Sequence, residues 1–288
     1  MRFKYLLAIL LAFALVAAAC GDDDTEESTA AEDGAAEDSA ASCDTLPLKT
    51  EGVLTVATGE PVFPPWMIDD DPTNEQGFES ALVYALAAEL GVETVEWVRT
   101  GFDEAIAPGD KDYDFNIQQY SITAERDEVV DFSDGYYQVE QALIGSPDSP
   151  VASAATVADL VDTRLGAAIG TTSLDYIDEV IAPSTEAQVY DDNAAAKAAF
   201  DAGQVDGIVF DLPTAYFITA VEIPEASIIG VLPRTDGEPE ELGMLFEEGS
   251  PLVPCVNDAL AALRDAGTIE AIEDEWLNQG GSIPTLTN

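Results

Sequence analysis

The chain has 288 residues, 57 of them Asp or Glu against 10 Lys or Arg and no His, for a formal net charge of -47 at pH 7. So negative a field argues against a nucleic-acid partner, which would need a basic face, and any site for an anion must be assembled locally from scarce cations. With 47% hydrophobic residues and a length beyond the usual single domain, two lobes are expected.

Residues 1–19 read as a signal peptide: Arg2 and Lys4 give a basic start, an apolar run begins at Leu6, and small residues precede Cys20. The run is shorter than the roughly 20 residues needed to span a bilayer. A cysteine directly after Ala17 to Ala19 resembles a lipoprotein signal, whose cysteine carries lipid after cleavage; an ordinary signal peptide with an incidental cysteine is the other reading. Within the segment 20–44, residues 21–42 hold no aromatic or branched aliphatic side chain and many acids, so they cannot bury enough surface to fold. They read as a disordered acidic tether, and no metal site is assigned to them. The protein is accordingly expected outside the cytoplasm, held to the membrane by a lipid on Cys20 alone. Cys43 and Cys255 then remain as an even pair in an oxidising setting, and a disulfide between them is expected.

Strand and helix alternate from there, predicting an α/β fold. "GVLTVAT" is a buried strand, and "FESALVYALAAEL" sets Phe78, Leu82, Val83, Leu86 and Leu90 on one helical stripe that Gly91 stops. A strand near "TVEWV", a short helix from Phe102 to Ala107 and a strand at "YDFNIQQ" follow. After Pro150 the pattern restarts with a helix near "ATVADLV", a strand "RLGAAI", a helix from Ser173 to Ile181 and a strand near "AQVY". The helix "NAAAKAAFDAG", the strand "VDGIVF" and a helix from Pro213 complete it, giving two parallel α/β lobes. A last helix is interrupted at Gly267.

Open α/β sheets bind ligands beyond the carboxyl ends of their strands, where this chain carries "ATGEPVFPPW", "QQYSITAER", "GTTS" and "FDLP". In "SITAER", Thr123 is a plausible helix cap, which puts Arg126 in a helical first turn and against the dipole by about 0.3–1 kcal/mol. Either an ion pair with Asp127, Asp131 or another neighbour offsets that cost, or the guanidinium fork grips a ligand carboxylate. Thr171 to Ser173 either offer backbone N–H groups and a hydroxyl to an anion or only cap their own helix. Asp211 either caps the helix at Pro213 or receives a ligand ammonium. An arginine, a Gly-Thr loop and an aspartate together complement a zwitterion.

Over most of residues 50–280 the chain resembles the family 3 extracellular solute-binding proteins, the polar amino-acid receptors of ABC importers. The likeness rests on "GVLTVATGEPVFPPW", "GFESALVYALAAELGV", "GFDEAI", "QYSITAERDEVVDFSDGYY", "GTTS" and "VDGIVFD". It implies a two-lobed periplasmic-binding-protein-like α/β fold with two hinge crossings, lobe 1 from 45–141 and 236–288 and lobe 2 from 142–235. It further implies that Arg126 and Thr172 hold a ligand α-carboxylate while Ser121 and Asp211 take the α-ammonium. Phe63, Trp66 and Phe102 fall at aromatic pocket positions, although such rings serve equally as core. Gln118 and Gln119 fall at polar pocket positions, and Glu60 sits where a pocket acid hints at a cationic ligand. Glu79 departs from the family's "GFD", which has Asp there.

The partners implied are a small molecule, an amino acid, and ABC permease subunits, for a monomer with no cofactor. A different class shares this fold, periplasmic dehydratases of prephenate-like acids. Without His or an isolated Cys nucleophile the chain lacks the commonest acid–base and nucleophilic groups, and a binding protein rather than an enzyme is expected.

Overall fold

The computed structural model describes residues 43–234, 237–277 and 281–288, which fall in one compact unit, 41–288. The segments expected to be a signal peptide and a tether, Cys20 among them, lie outside the described residues up to residue 42. Among the described residues no helix is long and apolar enough to cross a membrane.

The β-branched run Val53–Thr58 forms β1, buried from Leu54 onward as a central strand covered on both faces must be. Helix α1 (Phe78–Glu89) buries Phe78, Leu82, Val83 and Leu86, and Gly91, at φ +72°, supplies the left-handed turn after it. The strand β2 (Thr94–Arg99), the short helix α2 (Phe102–Ile106) and β3 (Phe115–Asn116) come next, then β4 (Val130–Phe132) and β5 (Tyr137–Val139). Beyond Glu140 run β6 (Gln141–Gly145), β7 (Leu165–Ala168), α3 (Thr172–Asp175) and β8 (Gln188–Tyr190). They are followed by α4 (Asn193–Asp201), β9 (Gly207–Asp211), α5 (Leu212–Phe217) and β10 (Ser227–Val231). The chain closes with β11 (Glu240–Leu242), β12 (Leu245–Glu247), α6 (Val253–Asp265) and α7 (Thr268–Trp276), the last two separated at Gly267 as expected.

Two five-stranded sheets result, β2-β1-β3-β12-β4 and β10-β6-β9-β7-β8. Neither is purely parallel, as the sequence pattern suggested. β12 runs antiparallel to β3 and β4 in the first, and β6 antiparallel to β9 and β10 in the second. A ribbon of β5 and β11, paired Glu240 to Val139 and Leu242 to Tyr137, carries both passages between the sheets, because β5 leads into β6 and β11 leads back. The expected helix near "ATVADLV" shrinks to a single 3-10 turn, Val157–Leu160, closed by a reciprocal cap between Thr156 and Asp159. The predicted helix from Ser173 changes after α3 into a π-type helix, Tyr176–Ile181.

The first sheet and helices α1 and α6 enclose a core that includes Leu54, Phe78, Leu86, Phe246, Val256 and Leu260. Cys43 is bonded to Cys255 of α6 at the edge of that core, with Cα atoms 5.6 Å apart. The second sheet is covered on both faces, by a cluster around Leu165, Ile177 and Val209 and another around Phe200, Phe210 and Ile218. The chain end sits on this second sheet: Thr285 bridges Val231, Thr287 bridges Thr156, and Leu286 packs in the first of these clusters. The segment 236–288, assigned from sequence to lobe 1, therefore ends against the second sheet.

Candidate functional site

The Thr123 hydroxyl accepts the Arg126 backbone N–H at 3.2 Å, but the residue at the N-cap position of the turn that follows is Glu125, so Thr123 is not the cap that the sequence suggests. That helix is only the 3-10 turn Arg126–Glu128. Three residues sum too few peptide dipoles for the expected dipole cost; the cost that matters is desolvation. Arg126 is 6% exposed, and burial lowers its pKa. One guanidinium nitrogen, Nη1, donates to the Ser121 carbonyl at 2.7 Å and Nη2 to the Gly170 carbonyl at 2.8 Å, the second bond reaching the loop after β7. The guanidinium carbon stands 5.5 Å from the centre of the Phe102 ring. Among the described residues no carboxylate forms an ion pair with Arg126. Asp131, one structural partner considered from sequence, instead accepts the backbone N–H groups of Gly249 and Ser250. A guanidinium has five N–H donors, so three of them lack a protein acceptor among the described residues.

Gly170 makes this approach possible. It has φ +69°, and a Cβ there would lie 2.0 Å from Asp103 Oδ1 of α2, so a side chain would need a strained left-handed backbone and would push that carboxylate aside. The following Thr171 accepts the Leu174 N–H at 3.2 Å and donates to the Ala168 carbonyl at 2.8 Å, which makes it a helix cap that also lines the cleft.

The strand ends converge on one cavity. Glu60, Phe63, Gln118 and Gln119 line it from the first-sheet side together with Phe102, Ser121 and Arg126, while Thr171, Thr172 and Asp211 line it from the second. It encloses about 140 Å³, and since one water needs roughly 10–15 Å³ of such space, it has room for several waters or one small organic molecule. Trp66 is absent from the lining. It is fully buried, edge-on to Phe78 and Tyr137, and its indole N–H donates to Thr214 Oγ1 at 2.8 Å. Of the two roles open to that ring, the structure shows core.

Asp211 makes no cap bond. Its Oδ1 accepts Gln141 Nε2–H at 2.7 Å, and burial, then the nearby Glu240 charge, push its pKa up to about 7. Glu79 is fully buried beneath the cleft and accepts the Tyr136 hydroxyl and both the backbone and side-chain N–H of Gln119; burial outweighs those donors and raises its pKa to about 7. These bonds hold Gln119 at φ +52°, a left-handed conformation rare for a residue with a side chain, at the cavity surface. Gln118 accepts the Tyr120 hydroxyl at 3.1 Å, and Tyr120 stacks on Phe102 at 4.5 Å.

Of the polar residues that sequence reasoning missed here, four either add charge to the cavity or bond to the predicted ligand residues. Asp191 and Asp192 line the cavity at the end of β8, Asp192 also capping α4 through the Ala195 N–H at 2.7 Å. Gln141 and Glu240, at the ends of the ribbon, bond to Asp211, Ser121 and Thr172 from behind. The position of Asp191 and Asp192 after a parallel strand was a usable signal; Gln141 and Glu240 had none. Among the described residues no group of His, Cys, Asp or Glu is arranged to hold a metal ion.

A model of the bacterial extracellular solute-binding proteins, family 3, matches residues 54–279. The chain belongs to that family. This solute-binding protein is 27% identical over 232 residues to the L-cystine-binding protein TcyJ of Escherichia coli K12, spanning 80% of this chain and 84% of that one. Among solved structures it is similar to an ancestral arginine-binding protein bound to arginine, with 28% identity and a TM-score of 0.68 over 78% of this chain and 98% of that one. It is likewise similar, at 27% identity and a TM-score of 0.67, to the ancestral amino acid-binding protein AncCDT-1, a precursor of cyclohexadienyl dehydratase, covering 78% of this chain and 96% of that one. The two-lobed fold and the extracytoplasmic setting are those of the family.

Proposed function

We propose that this solute-binding protein captures a free amino acid in the cleft between its two sheets and delivers it to the permease of an ABC importer. The observation that carries the reading is the buried Arg126 guanidinium, unpaired with any described carboxylate and facing the same cavity as Asp211. A ligand carboxylate supplies the charge that the guanidinium lacks, and a ligand ammonium supplies the one that Asp211 lacks. The names of the relatives support it, each being that of an amino-acid-binding protein. Glu60, Asp191, Asp192 and Asp211 line the cavity against Arg126 alone, which favours a ligand with a cationic side chain. A thermal-shift screen of the twenty amino acids tests the reading, since a ligand at 100 times its dissociation constant adds about 2.7 kcal/mol. Shifts of several degrees with basic amino acids are expected, and none with any amino acid overturns it. No turnover of prephenate is expected.

The pH dependence follows from Asp211. Its pKa in the free protein is raised to about 7, and an ammonium ion binds the ionised form. Below pH 7 capture must first expel the Asp211 proton, so affinity should weaken by about tenfold per pH unit as pH falls and level off above 7. Isothermal titration from pH 5 to 8.5 reads this slope, and an Asp211→Asn variant loses it along with most of its affinity.

The protein is further proposed to be a monomer tethered to the outer face of the cytoplasmic membrane by lipid on Cys20, on the strength of the cysteine that follows the small-residue site. Cys20→Ala should move it from the membrane fraction to the medium or periplasm; unmutated protein secreted free of detergent contradicts this.

A further inference from the structure

Past α7 the chain is anchored twice within a few residues, once in each half of the molecule. Leu277, directly after that helix, is buried with Ile269 in the first-sheet core. From residue 281 the chain lies on the second sheet. The Tyr216 hydroxyl of α5 donates to the Gly281 carbonyl at 2.7 Å. Val231 N–H donates to the Pro284 carbonyl and Leu286 N–H to the Val231 carbonyl, both at 2.9 Å. Thr287 donates its N–H to the Ala155 carbonyl at 3.0 Å and accepts the Val157 N–H at 2.8 Å. Leu286, 4% exposed, fills the cluster beneath, and Gly230 leaves it room, since a Cβ there would stand 2.9 Å from the Pro284 carbonyl and 3.1 Å from Leu286 Cγ.

β10 is an edge strand, and the segment extends the sheet past it through the parallel bridge from Thr285 to Val231, which occupies N–H and C=O groups that an edge leaves open. Covering an edge needs no particular connection to the first sheet, yet the connection here is short. Only Asn278, Gln279 and Gly280 separate Leu277 from Gly281, and four Cα steps span at most about 14 Å. This passage is separate from the β5–β11 ribbon. β6 leaves the ribbon, β10 is its neighbour and the segment comes next, so at about 4.8 Å per strand it stands roughly 10 Å to the side. A two-stranded ribbon can bend and twist; a short third passage off its axis opposes both. The same helix α5 also meets the first-sheet core directly, where Thr214 accepts the Trp66 indole N–H. The match to the family covers residues 54–279, so the docked segment lies beyond the part that this chain shares with it.

We propose that residues 281–288 are a strap, a third tie between the two sheets that limits how far the cleft opens and so keeps the binding-competent arrangement populated. The strap acts on the motion of the two halves and goes beyond the function proposed above.

A lengthened connection tests it. An insert of about twelve Gly and Ser residues between Gly280 and Gly281 adds a root-mean-square reach of about 20 Å while leaving every bond of the strap to the second sheet available. A Cys20→Ala background keeps both proteins free of lipid. The melting temperature and the slow hydrogen exchange of the Val231 and Leu286 amides should be unchanged, which shows the strap still docked. Small-angle X-ray scattering without ligand should then give a larger radius of gyration for the lengthened protein, and the dissociation constant for L-arginine should rise about tenfold as the competent fraction falls. With the strap docked, an unchanged radius of gyration or an unchanged dissociation constant overturns the proposal, and the segment is then only a cover for β10. If the unmutated protein takes up no amino acid, the reading of the function falls instead, and the scattering, which involves no ligand, decides the strap by itself.

Discussion

Arg126→Ala should abolish amino-acid binding in a protein that still folds, and Arg126→Lys should weaken binding severely. The chain carries close to fifty net negative charges, yet at physiological salt those beyond roughly 8 Å are largely screened, so one guanidinium inside the cleft outweighs the distant field. Losing one partner of a buried charge-assisted pair costs about 2–5 kcal/mol, or about 30-fold to several thousandfold in affinity. Lysine keeps the charge but not the fork, and it cannot hold the Ser121 and Gly170 carbonyls while also reaching a ligand. Those two carbonyls lose their donors in the alanine variant, at about 1–3 kcal/mol each if left dry, so melting curves must accompany isothermal titration. An Arg126→Ala variant that is folded and binds within a few-fold of the unmutated protein makes Arg126 a structural tie between the two sheets and misplaces the zwitterion site.

The elements legible in the sequence were those whose pattern is local. β1 and β9 are apolar runs, α1 repeats its buried residues at helical spacing, and Gly91 and Gly267 mark helix ends by their left-handed backbone. The strands β4, β11 and β12 are three residues long and exist because partners distant in sequence pair with them, as Leu245 does with Asn116 and Phe132. Such pairing leaves no periodicity to read. The site followed the same rule. Arg126 stood out because cations are rare in this chain, and Asp211 because it closes a strand; Glu240 is one acid among 57, and only the β5–β11 ribbon brings it beside Ser121. Trp66 shows the remaining ambiguity: an aromatic ring near a strand end fits a pocket or a core equally well until its neighbours Phe78, Tyr137 and Thr214 are known.

Removing the disulfide should lower stability more than any single surface change while leaving the cleft intact. The bond joins residues 212 positions apart. In the chain-entropy account a closed loop of 100 residues already confers about 4.7 kcal/mol, growing only logarithmically with length, and measured losses run about 2–5 kcal/mol. Cys255 is 2% exposed on α6, packed in the core that holds Val256 and Leu260, so its replacement should be Ala, because a serine hydroxyl there adds the cost of burying a polar group. Cys43 is half-buried and tolerates Ser. The double variant Cys43→Ser, Cys255→Ala should unfold at lower denaturant, by about 3–5 kcal/mol, and melt lower by roughly 2–4 °C for each kcal/mol lost in a domain of this size. Neither cysteine lines the cavity, so the dissociation constant at a temperature where both proteins are folded should agree within twofold. A stability loss under 1 kcal/mol would show that α6 and the first-sheet core hold the chain start without the bond. A loss of affinity in the folded variant would instead mean that the bridge sets the position of the first sheet against the second, and the cleft would then depend on a covalent tie at its far side.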